Sequence, residues 1–191
     1  MTSIKFLTLL ILAALLGGIM LVGCGTNKDW RTARRDSAGI APNPASTEDA
    51  IVLVFGADAW GWRGWFAIHT WIATKRHGGD FYNVYDVVGW RSYHQQSVMR
   101  VARDIPDRYW YGEKPQLLKY HQGEGTEQLI DAIDQAARDY PWKDTYKAFP
   151  GPNSNTFVAW IAKKVPELDV KLPPSAIGKG YVKREAANPS G

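Results

Sequence analysis

The chain has 191 residues, of which 45% are hydrophobic, a formal net charge of +4 and a single cysteine, Cys24. This charge is too small to predict nucleic-acid binding, for which a clustered basic face is expected. A single cysteine excludes an intrachain disulfide, a four-cysteine zinc site and, outside Cys24, a cysteine nucleophile.

The N-terminus has the pattern of an export signal: a lysine, an apolar run over residues 6–22 and small residues before Cys24. The segment "LVGC" resembles the lipobox of bacterial lipoproteins, whose cysteine is lipidated. We therefore predict a signal peptide over residues 1–23, lipid attachment at Cys24 and a membrane-anchored protein of the bacterial cell envelope. Because Gly25 stands where inner-membrane lipoproteins often carry Asp, the outer membrane, facing the periplasm, is favoured. The alternative is an uncleaved transmembrane anchor, since the run is only slightly shorter than the about 20 residues of a membrane-spanning helix.

Composition divides the remaining chain into three parts. Residues 24–49 contain two X-Pro steps and scattered Gly, Ser and Asn, which predicts a flexible tether after the lipidated cysteine. Residues 50–182 are predicted to form a single globular domain. The segment after Pro173 is predicted to be exposed and to end in disorder over residues 183–191, because "REAANPSG" has nothing to bury.

The domain begins with the β-branched run "AIVLVFG", which predicts a buried strand. Residues 65–74 and 81–90 flank "KRHGGD", whose Gly pair is typical of a hairpin turn, so these segments are predicted to form an antiparallel pair. "SVMRVARDI" and "PQLLKYHQG" are predicted to be further strands. Two helices follow, "GTEQLIDAIDQAARDY" and "NSNTFVAWIAKKVPEL", each with one apolar stripe. Strands followed by helices predict an α+β fold, a small antiparallel sheet with packed helices.

Ser154 stands at the predicted start of the second helix, between Asn153 and Asn155 and behind the stiff segment "PGP". One interpretation is structural, because Ser and Asn oxygens accept from the unpaired N–H groups of a helix start. The other is catalytic. A Ser nucleophile here would have backbone N–H groups and the amides of Asn153 and Asn155 beside it, and these could stabilise an oxyanion.

Among the four histidines, His69 lies in the middle of a predicted buried strand and therefore requires a hydrogen-bond partner. It is either a core histidine bonded to a backbone carbonyl or a general base oriented by a group on the paired strand. Asp86 and Asn83 are the nearest candidates there, and Asp86 is the stronger orienter.

The segment "AWGWRGWFAIHTW" is rich in tryptophan. Trp60 and Trp62 are flanked by Gly, which predicts a loop whose indole rings could stack on a sugar or lie at a membrane interface. The alternative is that both rings cover one end of the core.

Five segments resemble a bacterial family of unknown function, DUF3750, over roughly residues 51–181. They are "FAIHTWIAT", "YDVVGW", "YWYGEKPQLL", "PGPNSNTFVAWIAKKVPEL" and "LPPSAIGKGY". "GPNSNTF" is the most specific piece, and "AIGKGY" departs slightly from the "AIGKDY" of the family.

The sequence is also, more remotely, similar to circularly permuted papain-like enzymes. In these enzymes a strand histidine is followed much later by an "N-C-x-x-F" helix start. These include NlpC-type and lecithin–retinol-acyltransferase-like proteins, which cleave or transfer acyl and amide groups. The similarity implies a permuted papain-like arrangement in which His69 matches the histidine and Ser154 replaces the cysteine. Because Ser is far less acidic than Cys, it would need help from a general base. The site is then that of a serine hydrolase, or it is degenerate and only binds.

Two functions are therefore predicted. The first is a serine-type hydrolase or acyltransferase acting on amide or ester bonds of cell wall or lipid, with Ser154 as nucleophile, His69 as base and Asp86 orienting His69. The second is a non-catalytic envelope module that binds a cell-wall or lipid ligand. H-E-x-x-H, G-x-S-x-G and Walker motifs are absent from the sequence, so no metal site and no cofactor are predicted.

Overall fold

The computed structural model describes residues 29–183. The chain divides into two units, residues 1–33 and residues 34–191. The described part of the first unit, residues 29–33, is a single turn in which the backbone N–H of Arg31 donates to Asp29 Oδ1 at 2.9 Å. The elements described below belong to the second unit.

The second unit is built on a five-stranded antiparallel sheet with strand order β4-β3-β2-β1-β5. The strands are β1 (Ile51–Asp58), β2 (Ile68–Lys75), β3 (Asn83–Val87), β4 (Met99–Arg103) and β5 (Gln116–Gln122). Two α-helices are α1 (Thr126–Arg138) and α2 (Ser154–Lys164), and residues 181–183 are also helical. Short 3₁₀ helices occupy Pro44–Ser46, Gly61–Trp65, Gly89–His94 and Pro166–Leu168. The predicted α+β fold is confirmed, with each predicted strand and helix present.

Both α-helices pack on one face of the sheet, which we call the helix face. Strand side chains alternate between the two faces, and Val52, Val54 and Ile72 point to the helix face, where they join Ile133 and Phe157 in one buried cluster. Burying an apolar side chain of this size contributes about 1.5–3 kcal/mol. This layer therefore fixes the position of α2 on β2.

Loops cover the opposite face, which we call the loop face. Leu53, Phe55 and Trp71 point to this side and pack with Trp110 from the segment between β4 and β5. The indole Nε1 of Trp71 donates to the carbonyl of Pro106 at 2.7 Å, which ties this segment to the sheet.

Residues 34–49 also cover the loop face, although the sequence predicts a flexible tether there. The buried carboxylate of Asp107 accepts hydrogen bonds from the Ser37 hydroxyl at 2.8 Å and from the backbone N–H groups of Ile40 and Ala41 at 2.6 and 3.1 Å. The packed unit therefore begins at Arg34 rather than at residue 50. The polar groups of residues 34–49 have hydrogen-bond partners far along the chain, and local composition does not reveal these partners.

The segment after Pro173 contains buried residues as far as Val182, whereas the sequence predicts exposure. Ala176 is fully buried and Val182 nearly so. The carbonyl of Ile177 accepts hydrogen bonds from the side chains of Asn153 and Asn155, so the start of α2 holds this segment in place.

The predicted signal peptide over residues 1–23, the predicted lipidation site Cys24 and residues 184–191 of the predicted tail lie outside the described residues. Within residues 29–183, none of the helices has the length and apolar character that crossing a membrane requires.

Candidate functional site

His69 and Asp86 form a buried pair between the neighbouring strands β2 and β3. His69 Nε2 lies 2.9 Å from Asp86 Oδ1, on the loop face of the sheet. Asp86 is 2% exposed and His69 is 6% exposed. The structure thus brings together the two residues that the sequence pairs, while the catalytic roles assigned to them stay predictions.

The second carboxylate oxygen of Asp86 binds Arg108, whose Nη2 donates to Oδ2 at 2.6 Å. Nη1 of the same guanidinium is buried and has no hydrogen-bond partner within residues 29–183. Asp104 Oδ2 lies 3.8 Å from Nη1, which is beyond hydrogen-bond distance. A buried N–H group without a partner costs free energy, so this position would favour a ligand oxygen.

Asp86 stays ionised in this buried position. Burial alone would raise the pKa of its carboxyl group, but the interactions with His69 and Arg108 outweigh burial and hold the pKa below its ordinary value. Because the ionised carboxylate accepts from both partners, it fixes the orientation of the imidazole ring and of the guanidinium together.

Aromatic rings enclose the pair on the loop face. Trp110 stacks on His69 with ring centroids 3.6 Å apart and planes within 6°. Trp90 stacks on Trp110 at 5.7 Å, and Tyr111 packs edge-on against Trp110 at 5.1 Å. This stack places Trp110 between His69 and the cavity beside it.

The cavity has a volume of about 310 Å³ and carries an excess of positive charge. Arg91 and Arg100 are held at its wall, because Arg91 Nε donates to the Ser97 carbonyl at 2.6 Å and Arg100 Nη1 donates to Asp104 Oδ2 at 2.8 Å. Four arginines and two aspartates line it with aromatic and apolar side chains: Arg35, Arg91, Arg100, Arg108, Asp86, Asp104, Val88, Trp90, Tyr109, Trp110 and Tyr111. Within residues 29–183, no three His, Cys, Asp or Glu side chains are placed to hold a metal ion.

Ser154 lies across the sheet from this pair. It is the first residue of α2, on the helix face, where its carbonyl lies 3.4 Å from the Thr70 hydroxyl that donates to it. Thr70 and His69 are consecutive in β2 and point to opposite faces, so the sheet separates Ser154 from His69. The helix N-cap is Asn153, and the Ser154 hydroxyl makes no hydrogen bond within the described part of the chain.

The predicted oxyanion donors Asn153 and Asn155 use both of their side-chain N–H groups for backbone carbonyls. Asn153 Nδ2 donates to Ala148 at 2.9 Å and to Ile177 at 3.0 Å. Asn155 Nδ2 donates to Ile68 at 2.9 Å and to Ile177 at 2.8 Å. In this structure the "NSN" segment therefore joins α2 to β2 and to the C-terminal segment.

Trp60 and Trp62 flank the start of the 3₁₀ helix Gly61–Trp65. Trp60 packs against Tyr111 at the cavity wall, with ring centroids 5.3 Å apart. Trp62 is 66% exposed, and its ring centroid lies 5.6 Å from that of Phe66. Trp60 lies directly before this 3₁₀ helix and Trp62 lies within it, and the ligand-binding roles of both residues stay predictions.

Sequence reasoning missed the four arginines of the cavity. They come from four separate segments: Arg35 precedes β1, Arg91 follows β3, Arg100 lies on β4 and Arg108 follows β4. Single residues from four segments form no motif with a recognisable spacing. The one local signal is "DRYWYG", in which Arg108 stands directly before three aromatic residues.

Fold and site together define a small antiparallel α+β domain with helices on one face of the sheet and an arginine-lined cavity under loops on the other. The family model described as "Protein of unknown function (DUF3750)" matches residues 49–181. The chain belongs to this family, as its sequence motifs predict. No curated protein and no solved structure matches the chain.

Proposed function

We propose that the chain is a membrane-tethered protein of the bacterial envelope whose domain binds an anionic ligand in the arginine-lined cavity. One observation carries this proposal. Asp86 holds Arg108, a residue of the cavity lining, through Nη2, while Nη1 of the same guanidinium is buried without a hydrogen-bond partner in the described residues. An oxygen of an anionic ligand would satisfy that donor.

The lining favours a phosphate or carboxylate group joined to a flat or apolar moiety. Guanidinium groups bind both anions through two parallel hydrogen bonds. Trp90 and Tyr111 supply aromatic surface for the remainder of the ligand. A volume of about 310 Å³ is at the lower end of small-molecule pockets, which suits a small molecule or a head group.

Membrane attachment rests on the sequence. The apolar run over residues 6–22 and the "LVGC" segment favour lipidation of Cys24, which precedes the packed unit by ten residues. A domain tethered in this way meets anionic components of the cell wall and of the lipid surface. These are the ligand classes that the proposed location supplies.

The binding function is favoured over the serine hydrolase. A serine nucleophile needs its base within about 2.6–3.2 Å, or within reach of one bridging water. Ser154 and His69 lie on opposite faces of the sheet. Within residues 29–183, His69 contacts Asp86 and Trp110 on the loop face, and it makes no hydrogen bond to Ser154. The pair instead supports Arg108 through Asp86.

Calorimetric titration of the full chain in detergent with phenyl phosphate, and separately with benzoate, tests the proposal. We expect saturable binding of at least one probe that weakens as salt is added, since the attraction is ionic. Arg91→Ala should weaken that binding about ten- to hundredfold, because a hydrogen bond to a charged group contributes about 1.5–3 kcal/mol.

Arg103→Ala is the matched control. Arg103 lies on β4 like Arg100, but it is exposed, contacts the Phe81 ring and does not line the cavity. The substitution removes the same charge and should leave probe binding unchanged. Equal losses in the two variants, or no saturable binding of either probe, would contradict the proposal.

A further inference from the structure

Exposed aromatic side chains are concentrated on the 3₁₀ helix Gly61–Trp65 and the residue after it. Trp65 is 88% exposed, Trp62 is 66% exposed and Phe66 is 53% exposed. Arg63 lies among them, with its guanidinium 5.6 Å from the centroid of the Trp62 ring. Such rings gain nothing from the core, so their exposure points to a partner outside the domain.

Other exposed aromatic residues lie at the same end of the sheet. β2 and β3 run antiparallel, so the 3₁₀ helix Gly89–His94, which follows β3, lies towards the end of the sheet where Gly61–Trp65 precedes β2. Its Tyr93 is exposed. Phe149 is exposed as well and follows Ala148, whose carbonyl binds the Asn153 cap of α2 at this end. We call Trp62, Trp65, Phe66, Tyr93 and Phe149 the aromatic end.

Positive residues adjoin the aromatic end. Arg63 follows Trp62, and Lys147 is exposed two residues before Phe149. Arg91, two residues before Tyr93, lines the arginine cavity, so the cavity borders this end. Tryptophan with basic residues around it is the composition of surfaces that settle in the head-group region of a membrane.

The N-terminal chain enters the packed unit beside the aromatic end. The Arg35 guanidinium lies 4.3 Å from the centroid of the Tyr111 ring, and that ring contacts Trp60, directly before the 3₁₀ helix Gly61–Trp65. Cys24 precedes Arg34 by ten residues, which extend to at most about 35 Å. A lipid on Cys24 would therefore hold the point of entry at Arg34 within about 35 Å of the bilayer.

We propose that the aromatic end is a membrane-docking surface, with Trp62, Trp65 and Phe66 in the head-group region of an anionic phospholipid bilayer. This inference rests on the membrane tether of the proposed function. Docking there brings the Arg91 side of the arginine cavity next to the lipid surface. A head-group phosphate then becomes one source of the anion that the cavity takes.

Nitroxide labels measure this contact in the full chain bound to vesicles of phosphatidylethanolamine and phosphatidylglycerol. One label is attached through Trp65→Cys, and the control label is attached through Glu124→Cys, at an exposed position next to the opposite end of β1. The unsubstituted chain, treated in parallel, gives the background from Cys24. Thermal melts of both variants establish that each is folded.

The label at position 65 should collide more often with oxygen, which concentrates in lipid, than with a water-soluble nickel complex, and the label at position 124 should show the reverse. Equal aqueous accessibility at the two positions would overturn the docking surface. Protection of position 65 from both reagents would also overturn it, since that result means a protein partner or a second copy. Phenyl phosphate binding in detergent is independent of docking, so the proposed anion site can survive either negative result.

Discussion

Arg108 Nη2 lies 2.6 Å from Asp86 Oδ2, while Nη1 of the same guanidinium has no hydrogen-bond partner within residues 29–183. The carboxylate therefore fixes the guanidinium of Arg108, a residue of the cavity lining, while its Nη1 stays buried without a partner among the described residues. His69 holds the other oxygen of Asp86 at 2.9 Å. The sheet thus presents one arginine in a prearranged position, and prearranged donors bind anions without the cost of being ordered.

Asp86→Asn should destabilise the domain strongly. The substitution removes the negative charge that His69 and Arg108 share and leaves the Arg108 charge buried without a counter-charge on its Nη2 side. Breaking a buried ion pair in this way costs about 3–5 kcal/mol. The free energy of unfolding in urea measures the loss.

Asp131→Asn is the control for that experiment. Asp131 pairs with Arg76 at 2.6 Å on the exposed surface of α1, and Arg76 keeps Glu127 and Asp134 as partners. Exposed pairs contribute little. If the two variants lost similar stability, the buried pair would not organise the loop face as described.

Acid should weaken the domain through Asp86. The interactions with His69 and Arg108 hold the pKa of this carboxyl group below its ordinary value of about 3.9, so the unfolded chain takes up the proton first as the pH falls. The stabilisation is complete well above pH 4 and decreases as the pH falls below about 4 towards the folded-state pKa. Urea unfolding between pH 3 and pH 6 should show a smaller pH slope in Asp86→Asn than in the unsubstituted chain.

Asn153→Ala should cost far more stability than Ser154→Ala. Asn153 caps α2 by accepting from the Thr156 backbone N–H, and its amide donates to two backbone carbonyls. Losing the cap costs about 0.5–2 kcal/mol, and the two carbonyls lose their donors in addition. The Ser154 hydroxyl makes no hydrogen bond in the described residues, so its removal should leave the melting temperature nearly unchanged. A large stability loss in Ser154→Ala would contradict this assignment of the cap to Asn153. Loss of an esterase activity in Ser154→Ala with an unchanged melting temperature would restore the catalytic interpretation.

Alkaline titration should reveal tyrosines that ionise late. Burial raises the pKa of Tyr82, Tyr85 and Tyr140, and a hydrogen bond from the Tyr85 hydroxyl to Asp134 adds to the effect there. In the unfolded chain these groups ionise near pH 10, so stability is complete below that pH and decreases as the pH rises above it. Tyrosinate absorbance at pH 11 should account for fewer than the nine tyrosines until the domain unfolds. Ionisation of all nine in a single step without unfolding would contradict the burial.

The elements and the His69–Asp86 contact could be predicted because they depend on local patterns. Side-chain alternation identifies the strands, and a hairpin between β2 and β3 brings Asp86 beside His69. The position of Ser154 on the opposite face of the sheet from His69 could not be predicted. His69 and Thr70 are consecutive in β2, and it is the side chain of Thr70 that points towards α2. The sequence shows that these two side chains point to opposite faces but not which of the faces the helices cover.

The cavity and the packing of residues 34–49 could not be predicted for a related reason. Both depend on contacts between distant segments, such as the bonds from Ser37 and Ile40 to the carboxylate of Asp107. A polar segment without local partners has the composition of a tether. Only the tertiary structure shows that a buried carboxylate elsewhere in the chain supplies the partner.

The most direct measurement is a crystal structure of the protein with phenyl phosphate bound. We expect a phosphate oxygen within hydrogen-bond distance of Arg108 Nη1, with Arg91 as a second ligand and the phenyl ring against Trp90 or Tyr111. Phosphate bound elsewhere, for example at the start of α2 beside Ser154, or a cavity left empty at saturating phenyl phosphate, would contradict the anion-binding function.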